Sequence, residues 1–269
     1  MPVSSGASSP RSYLVCASQR SGSTLLVESL RSTGVAGHPQ EFFQYLPETS
    51  LAPQPSDWFV GVADESILSL LAADRPGLPT TETSDEWRAR IASEGTTENG
   101  VWGGKIMWNQ TPLVVDRAAG LTGRRGSDLH SALGDILGDV LYIKVTREDV
   151  VSQAVSFWRA VQTNTWQGKP AEGDDVAQYH QGGIAHLVRL LQDQERGWRT
   201  YFADHGIEPV EVTYADLAAN TSAVLRRVLD AIGLDTEVPP PALKRQADRR
   251  SDEWVERFRE SADGQELLV

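Results

Sequence analysis

"CASQRSGSTLLVESL", Cys16 to Leu30, decides the fold. The apolar run Tyr13 to Ala17, with a β-branched and an aromatic member between polar flanks, reads as a buried strand. Leu25, Leu26, Ser29 and Leu30 then recur at helical spacing, and Gly34 is a natural stop. A Ser/Gly-rich turn joins the two. At such a junction backbone N–H groups point at one anion, and the helix dipole favours its negative charge. Gly22 permits close backbone approach, Ser21, Ser23 and Thr24 add hydroxyls, and Arg20 adds a planar cationic fork. The turn suits phosphate or sulfate.

It departs from the triphosphatase loop G-x-x-x-x-G-K-[ST]. Ala17 stands for the first glycine and Ser23 for the lysine, while Gly22 and Thr24 remain. The strand that should end in a magnesium-binding aspartate, "LYIKVTRE" (Leu141 to Glu148), carries Arg147 instead. By itself the turn is also compatible with an ordinary helix N-cap. A kinase or NTPase would predict magnesium-dependent ATP binding, and a non-catalytic nucleotide sensor would predict binding without turnover.

Outward from the turn, Val35 to Pro55 is too irregular for a long element and reads as a folded functional loop. Helical patterns cover Asp57 to Ala73 and Ser84 to Ser93, separated by the breaker "DRPGLPTTET". "VWGGKIMW" (Val101 to Trp108) reads as a second strand, whose paired glycines mark close approach by a ligand or another backbone. "DVLYIKVTRED" (Asp139 to Asp149) is the clearest strand; helical stretches follow from Val150 to Trp166 and from Asp174 to about His205. "PVEVTYADL" (Pro209 to Leu217) adds another strand, leading to a helix through "NTSAVLRRVLDAIGL". Strands alternating with helices predict an α/β fold: three layers, a central mostly parallel sheet and helices on both faces. Ligands then bind beyond the carboxyl ends of the strands, which brings Arg20, Lys105 or its neighbours, and Arg147 to one edge.

The chain has 269 residues, 40% hydrophobic and 23% charged, an ordinary globular composition that we read as one domain over residues 13–269 after a disordered start at 1–12. A formal charge of -12 argues against nucleic acid or anionic membrane as partner, so an anionic ligand must meet a local basic pocket. The single cysteine, Cys16, excludes an intramolecular disulfide and reads as a packed free thiol. No apolar run approaches the roughly 20 residues of a membrane helix, which suggests a cytoplasmic protein. Five scattered histidines and one cysteine offer no metal site, and none is expected.

Taken together these segments resemble the sulfotransferases that use 3'-phosphoadenosine 5'-phosphosulfate (PAPS). The family loop "PKSGTTWL" is similar to "QRSGSTLL", with Arg20 in the lysine's place, and the family's strand ending in Arg before a Ser-bearing helix is similar to "YIKVTREDVVSQAVSFW". The usual spacing would put Val155 in the place of that Ser; the flanking "AVSFW" resembles "AVSYY" and favours Ser156, with Ser152 second. "VTYADL" is similar to the family's "YEDL" turn. "SQRSGSTLL", "GHPQEFFQYL", "WGGKIMW" and "QAVSFWRA" resemble the bacterial, trehalose-directed branch. That resemblance implies a P-loop-like fold, a homodimer and sulfuryl transfer from PAPS to the 2-hydroxyl of trehalose, without a metal.

It also implies roles. Ser21, Gly22, Ser23 and Thr24 would hold the donor with Arg20, which also steadies the leaving oxygen, while Arg147 and Ser156 would grip the 3'-phosphate. Many relatives carry a catalytic His in a "KTH" stretch, absent from "GGKIMWNQ" here. Glu41 matches the glutamate base of the sugar-directed branch, with His38 its rival; Phe42, Phe43 and Tyr45 are expected to wall it and raise its basicity. Gln19, His38, Pro39, Gln40, Glu41, Phe42, Phe43, Gln44, Pro53 and Trp58 are the expected acceptor contacts, with core packing the alternative for the aromatics. The role of Lys105 stays open. The basic cluster Lys244, Arg245, Arg249 and Arg250 either closes over the nucleotide or forms a solvated helix face.

Overall fold

The computed structural model describes residues 12–166, 176–239 and 249–267. Its centre is β1 (Ser12–Ala17), paired in parallel with β2 (Trp102–Met107) on one side and β3 (Leu141–Thr146) on the other. β4 (Val210–Thr213) joins β3, giving a four-stranded parallel sheet of order β2-β1-β3-β4. The chain moves from β1 to one neighbour and then crosses to the other. Such a switch point opens a crevice past the carboxyl ends of β1 and β3.

The pleat of β1 sorts its side chains into two layers. Tyr13, Val15 and Ala17 pack with α1 (Ser23–Arg31) and, later in the chain, Thr221–Ile232. Leu14 and Cys16 face the opposite layer. Both faces are covered, and the expected three-layer arrangement holds.

Between β1 and β2 the chain forms a 3-10 turn (Pro55–Phe59), α2 (Glu65–Leu68) and α3 (Ser84–Gly95). The continuous helix expected over Asp57 to Ala73 is not formed. Gly61 takes φ 85° and breaks the first turn, and Asp64 caps a separate short helix through the Ser66 amide at 2.9 Å. Between β2 and β3 lie α4 (Thr111–Ala119) and α5 (Leu129–Leu137). The later helices are α6 (Val150–Thr163), α7 (Gln181–Asp204), α8 (Tyr214–Ala219), α9 (Thr221–Ile232), α10 (Arg249–Arg259) and α11 (Ala262–Leu267). α6, α7 and α10 share a second apolar core built on Phe157, Trp158, Leu187 and Phe258.

The glycine pair of β2 answers to its neighbours. A Cβ on Gly103 would lie 2.5 Å from the Tyr13 hydroxyl, and one on Gly104 would lie 2.3 Å from the Trp102 ring. Aromatic side chains occupy that space, and another backbone also comes close, since a Cβ on Gly37 would lie 2.5 Å from the Gly103 nitrogen. Six of the eight tryptophans, all but Trp108 and Trp166, are buried within this chain. β1 begins at Ser12, one residue ahead of the expected boundary, and residues 1–11 lie outside the described residues.

Candidate active site

The turn after β1 holds a backbone strain. Arg20 sits at φ 62°, a left-handed conformation that costs a non-glycine residue about 1–3 kcal/mol and persists only where surroundings enforce it. Its neighbours do so: Arg20 Nε donates to Ser156 Oγ at 2.9 Å, its NH1 to the Trp166 carbonyl, and Arg147 NH1 donates to the Arg20 carbonyl at 3.3 Å. Burial, and then the positive charge of Arg147, hold the Arg20 pKa below its usual value. Two guanidiniums this close, in a chain of net charge -12, are relieved by an anion between or beside them.

Gly22 caps α1 at φ 90° with no side-chain bond to the helix's first amides. A Cβ there would lie 2.6 Å from Cδ2 of Tyr214, whose ring covers the turn and is itself covered by Arg147 at 4.6 Å. Arg147 thus contacts both the Arg20 carbonyl and the Tyr214 ring beside the turn. Ser21 Oγ is buried and meets no partner among the described residues. Uncapped amides, an orphaned hydroxyl, a close glycine and two cations fit a phosphate or sulfate group.

α6 distinguishes the candidate serines. Ser156 touches Arg20. Ser152 is turned to Asp149, donating its Oγ at 2.5 Å as part of the helix cap, and Val155 is fully buried in the apolar core.

Glu41 is set by β2, the sheet's edge strand. The Lys105 amide donates to the Gln40 carbonyl at 3.0 Å, and Lys105 Nζ lies 2.6 Å from Glu41 Oε1. The same Nζ donates to Thr24 Oγ1 at 3.2 Å, while Gln110 Nε2 donates to Glu41 Oε2 at 3.0 Å. Lys105 is therefore buried between the anion turn and the carboxylate, not solvated. Beside it opens a cavity of about 220 Å³ lined by Thr24, Val27, Glu28, Arg31, Gln40, Glu41, Gln44, Tyr45 and Lys105. Its hydroxyl, amide, carboxylate and cationic groups suit a polyhydroxylated ligand.

The other expected contacts scatter. Phe42 and Phe43 turn into the core, against Trp102 and Trp87, so the aromatic wall expected around Glu41 is replaced by Lys105 and Gln110, with half-exposed Tyr45 at the rim. Trp58 packs on Phe157 and Trp166; its indole nitrogen is buried without a partner among the described residues. Gln19 reaches Asn109 at 2.6 Å. His38 is exposed, Pro39 is buried with its carbonyl on Arg31, and Pro53 is half-buried; none of the three lines the cavity. Arg250 is engaged with the Ala177 carbonyl and the Trp254 ring, whereas Lys244 and Arg245 lie outside the described residues, as does the side chain of Arg249. Sequence reasoning missed Tyr214, Gln110, Glu28 and Arg31. The "VTYADL" turn was a usable signal for the first; nothing local marks the others. Among the described residues no group of three or more His, Cys, Asp or Glu is arranged to hold a metal, and no helix is long and apolar enough to cross a membrane.

The sequence has relatives. The chain is 56% identical over 255 residues to a trehalose 2-sulfotransferase of Mycobacterium tuberculosis, and 57% identical over 256 residues to one of Mycolicibacterium smegmatis, each match covering 94% of this chain and 96% of the relative. A crystal structure of a sulfotransferase from Alicyclobacillus acidocaldarius aligns over 97% of this chain and 96% of its own, at 13% identity and a TM-score of 0.41. Residues 12–261 match the Stf0 sulphotransferase family, and with relatives of this identity over nearly its whole length the chain belongs to that family and is a sulfotransferase.

Proposed function

We propose that this enzyme moves the sulfuryl group of PAPS to the 2-hydroxyl of trehalose, as a cytoplasmic homodimer and without a metal. The acceptor rests on the names of the two mycobacterial relatives. The mechanism rests on one observation: Lys105 joins the anion turn to Glu41 within a single polar site.

When bound, PAPS supplies the sulfuryl group and an adenosine 3',5'-bisphosphate leaving group. The chain's residues do the rest. Arg20 and the first amides of α1 hold negative charge at the turn and offset its growth on the leaving oxygen. Arg147 and Ser156, both on Arg20, take the 3'-phosphate. Glu41 accepts the acceptor's hydroxyl proton as the new O–S bond forms in line with the S–O bond that breaks. Lys105, between Thr24 and Glu41, keeps the base beside the donor.

Incubating the enzyme with radiolabelled PAPS and trehalose, glucose or a trehalose glycolipid, with and without EDTA, tests this reading. Label should enter trehalose at the 2-position, undiminished by EDTA. Label in another sugar alone reassigns the acceptor, and magnesium-dependent turnover of ATP overturns the donor.

A further inference from the structure

Beneath the anion turn lies a polar chain, buried except at partly exposed Glu195. Glu195 of α7 receives Lys144 Nζ at 2.7 and 2.9 Å and the Ser18 hydroxyl at 2.7 Å. The Ser18 oxygen in turn accepts from Gln153 Nε2 of α6 at 3.0 Å, and the same nitrogen donates to the Gln19 carbonyl at 2.6 Å. Ser18, Lys144 and Gln153 are each at most 5% exposed. Burying so many polar groups is costly unless every partner is in place, so the chain tolerates few alternative shapes.

Its contacts fall in sequence order along the turn. Trp198, one helical turn beyond Glu195, donates to the Ala17 carbonyl at 2.9 Å. Glu195 takes Ser18, Gln153 holds Gln19, and Ser156, one turn beyond Gln153, takes Arg20. Faces of α7 and α6 thus grip four consecutive residues, ending at the one forced to φ 62°. The Gln19 carbonyl belongs to the peptide whose nitrogen is that of Arg20. Its bond to Gln153 therefore fixes the plane from which the strained residue departs.

We propose that Gln153, backed by Ser18 and Glu195, is a positioning residue for sulfuryl transfer: it holds the turn in its anion-receiving shape and so sets affinity for the donor without touching it. This rests on the reading of the turn as the donor's cradle. Gln153→Leu keeps the buried volume and deletes both hydrogen bonds. Calorimetric titration with adenosine 3',5'-bisphosphate should give a Kd about tenfold higher than for the parent enzyme. The KM for PAPS should rise in parallel while the KM for trehalose stays within about twofold.

If the parent enzyme itself fails to bind the bisphosphate, the donor reading falls and this proposal with it. If the parent binds and Gln153→Leu binds equally well, with only its melting temperature lowered, the positioning role alone is overturned. Should that variant not fold, Ser18→Ala removes the hydroxyl that links Gln153 to Glu195. It is expected to shift the same two constants, and unchanged donor constants would overturn the proposal equally.

Discussion

Lys105 Nζ lies 2.6 Å from Glu41 Oε1, with the lysine side chain only 3% exposed. The pair fixes one oxygen of a carboxylate that lines the polar cavity and leaves the other to buried Gln110. Glu41→Gln keeps an oxygen for Lys105 but sets an amide nitrogen against the Gln110 nitrogen, so a stability loss of about 1 kcal/mol is expected. Turnover should fall roughly 10²- to 10⁴-fold, because the amide takes no proton. Binding of adenosine 3',5'-bisphosphate, measured calorimetrically, should be nearly unchanged. Turnover like that of the parent enzyme would reassign the base.

Gly22 is constrained twice, by φ 90° and by the Tyr214 ring 2.6 Å from where a Cβ would stand. Gly22→Ala should cost about 1–2 kcal/mol for the backbone conformation alone, with a further cost as the ring is displaced. The moved ring carries Arg147 with it, so bisphosphate binding should fall as well. In Gly22→Ala combined with Tyr214→Ala the clash is gone and the conformational cost remains, so thermal unfolding should show the double variant losing less stability than the sum of the two single losses. Additive losses would mean that the ring already has room to move.

What was legible in the sequence follows from how local each signal is. β1, β3 and α1 carry their apolar periods within a few residues, and four parallel strands followed from strand-helix alternation. α4 and α5 also bear local marks, a proline near the start of one and the Asp128 cap of the other, which an apolar-period reading passes over. The helix expected over Asp57 to Ala73 failed because one glycine at positive φ outweighs a run of good spacing. At the site, the turn announces itself through glycine and hydroxyl chemistry. The direction of Phe42 and Phe43 does not, because in an irregular loop no period says which side chains turn inward. The place of Lys105 near the ligand edge was legible but its role was not, for a related reason: its burial depends on α1 and on Glu41, both distant in sequence.

Cys16 is fully buried in β1, and burial pushes its thiol pKa up, against the opposing pull of Lys144. Thiolate, the reactive form, is scarce and sheltered. A water-soluble disulfide reagent should therefore leave the native enzyme unlabelled over an hour at pH 8 and label one thiol per chain in guanidinium. Prompt labelling without denaturant would show that the central strand opens.

Asp149 links the start of α6 to α10, and its acid behaviour follows from that place. Its carboxylate accepts from the Ser152 amide at 3.0 Å and lies 2.9 Å from Arg259 NH2. Burial pushes the carboxyl upward, but the Ser152 hydrogen bonds and the Arg259 guanidinium outweigh it, and the pKa ends below the ordinary aspartate value. A depressed folded-state pKa contributes stability that is present above the unfolded value of about 3.9 and is lost as pH falls through the folded one. Asp149→Ala should then cost about 1 kcal/mol at pH 7, as the loss of a helix cap. The gap between the two proteins in thermal unfolding should narrow as pH falls below about 4 and through the lower folded-state pKa, where the parent's carboxylate becomes protonated. Asp149→Asn, which still caps but carries no charge, should lose less at pH 7, and its deficit should shrink over the same pH range by about as much, because neither variant has a carboxyl at position 149 to titrate. α6 also carries Gln153 and Ser156 to the anion turn, so Asp149→Ala should weaken bisphosphate binding more than Asp149→Asn does. Equal binding by both variants would mean that the helix start moves independently of the turn it supports.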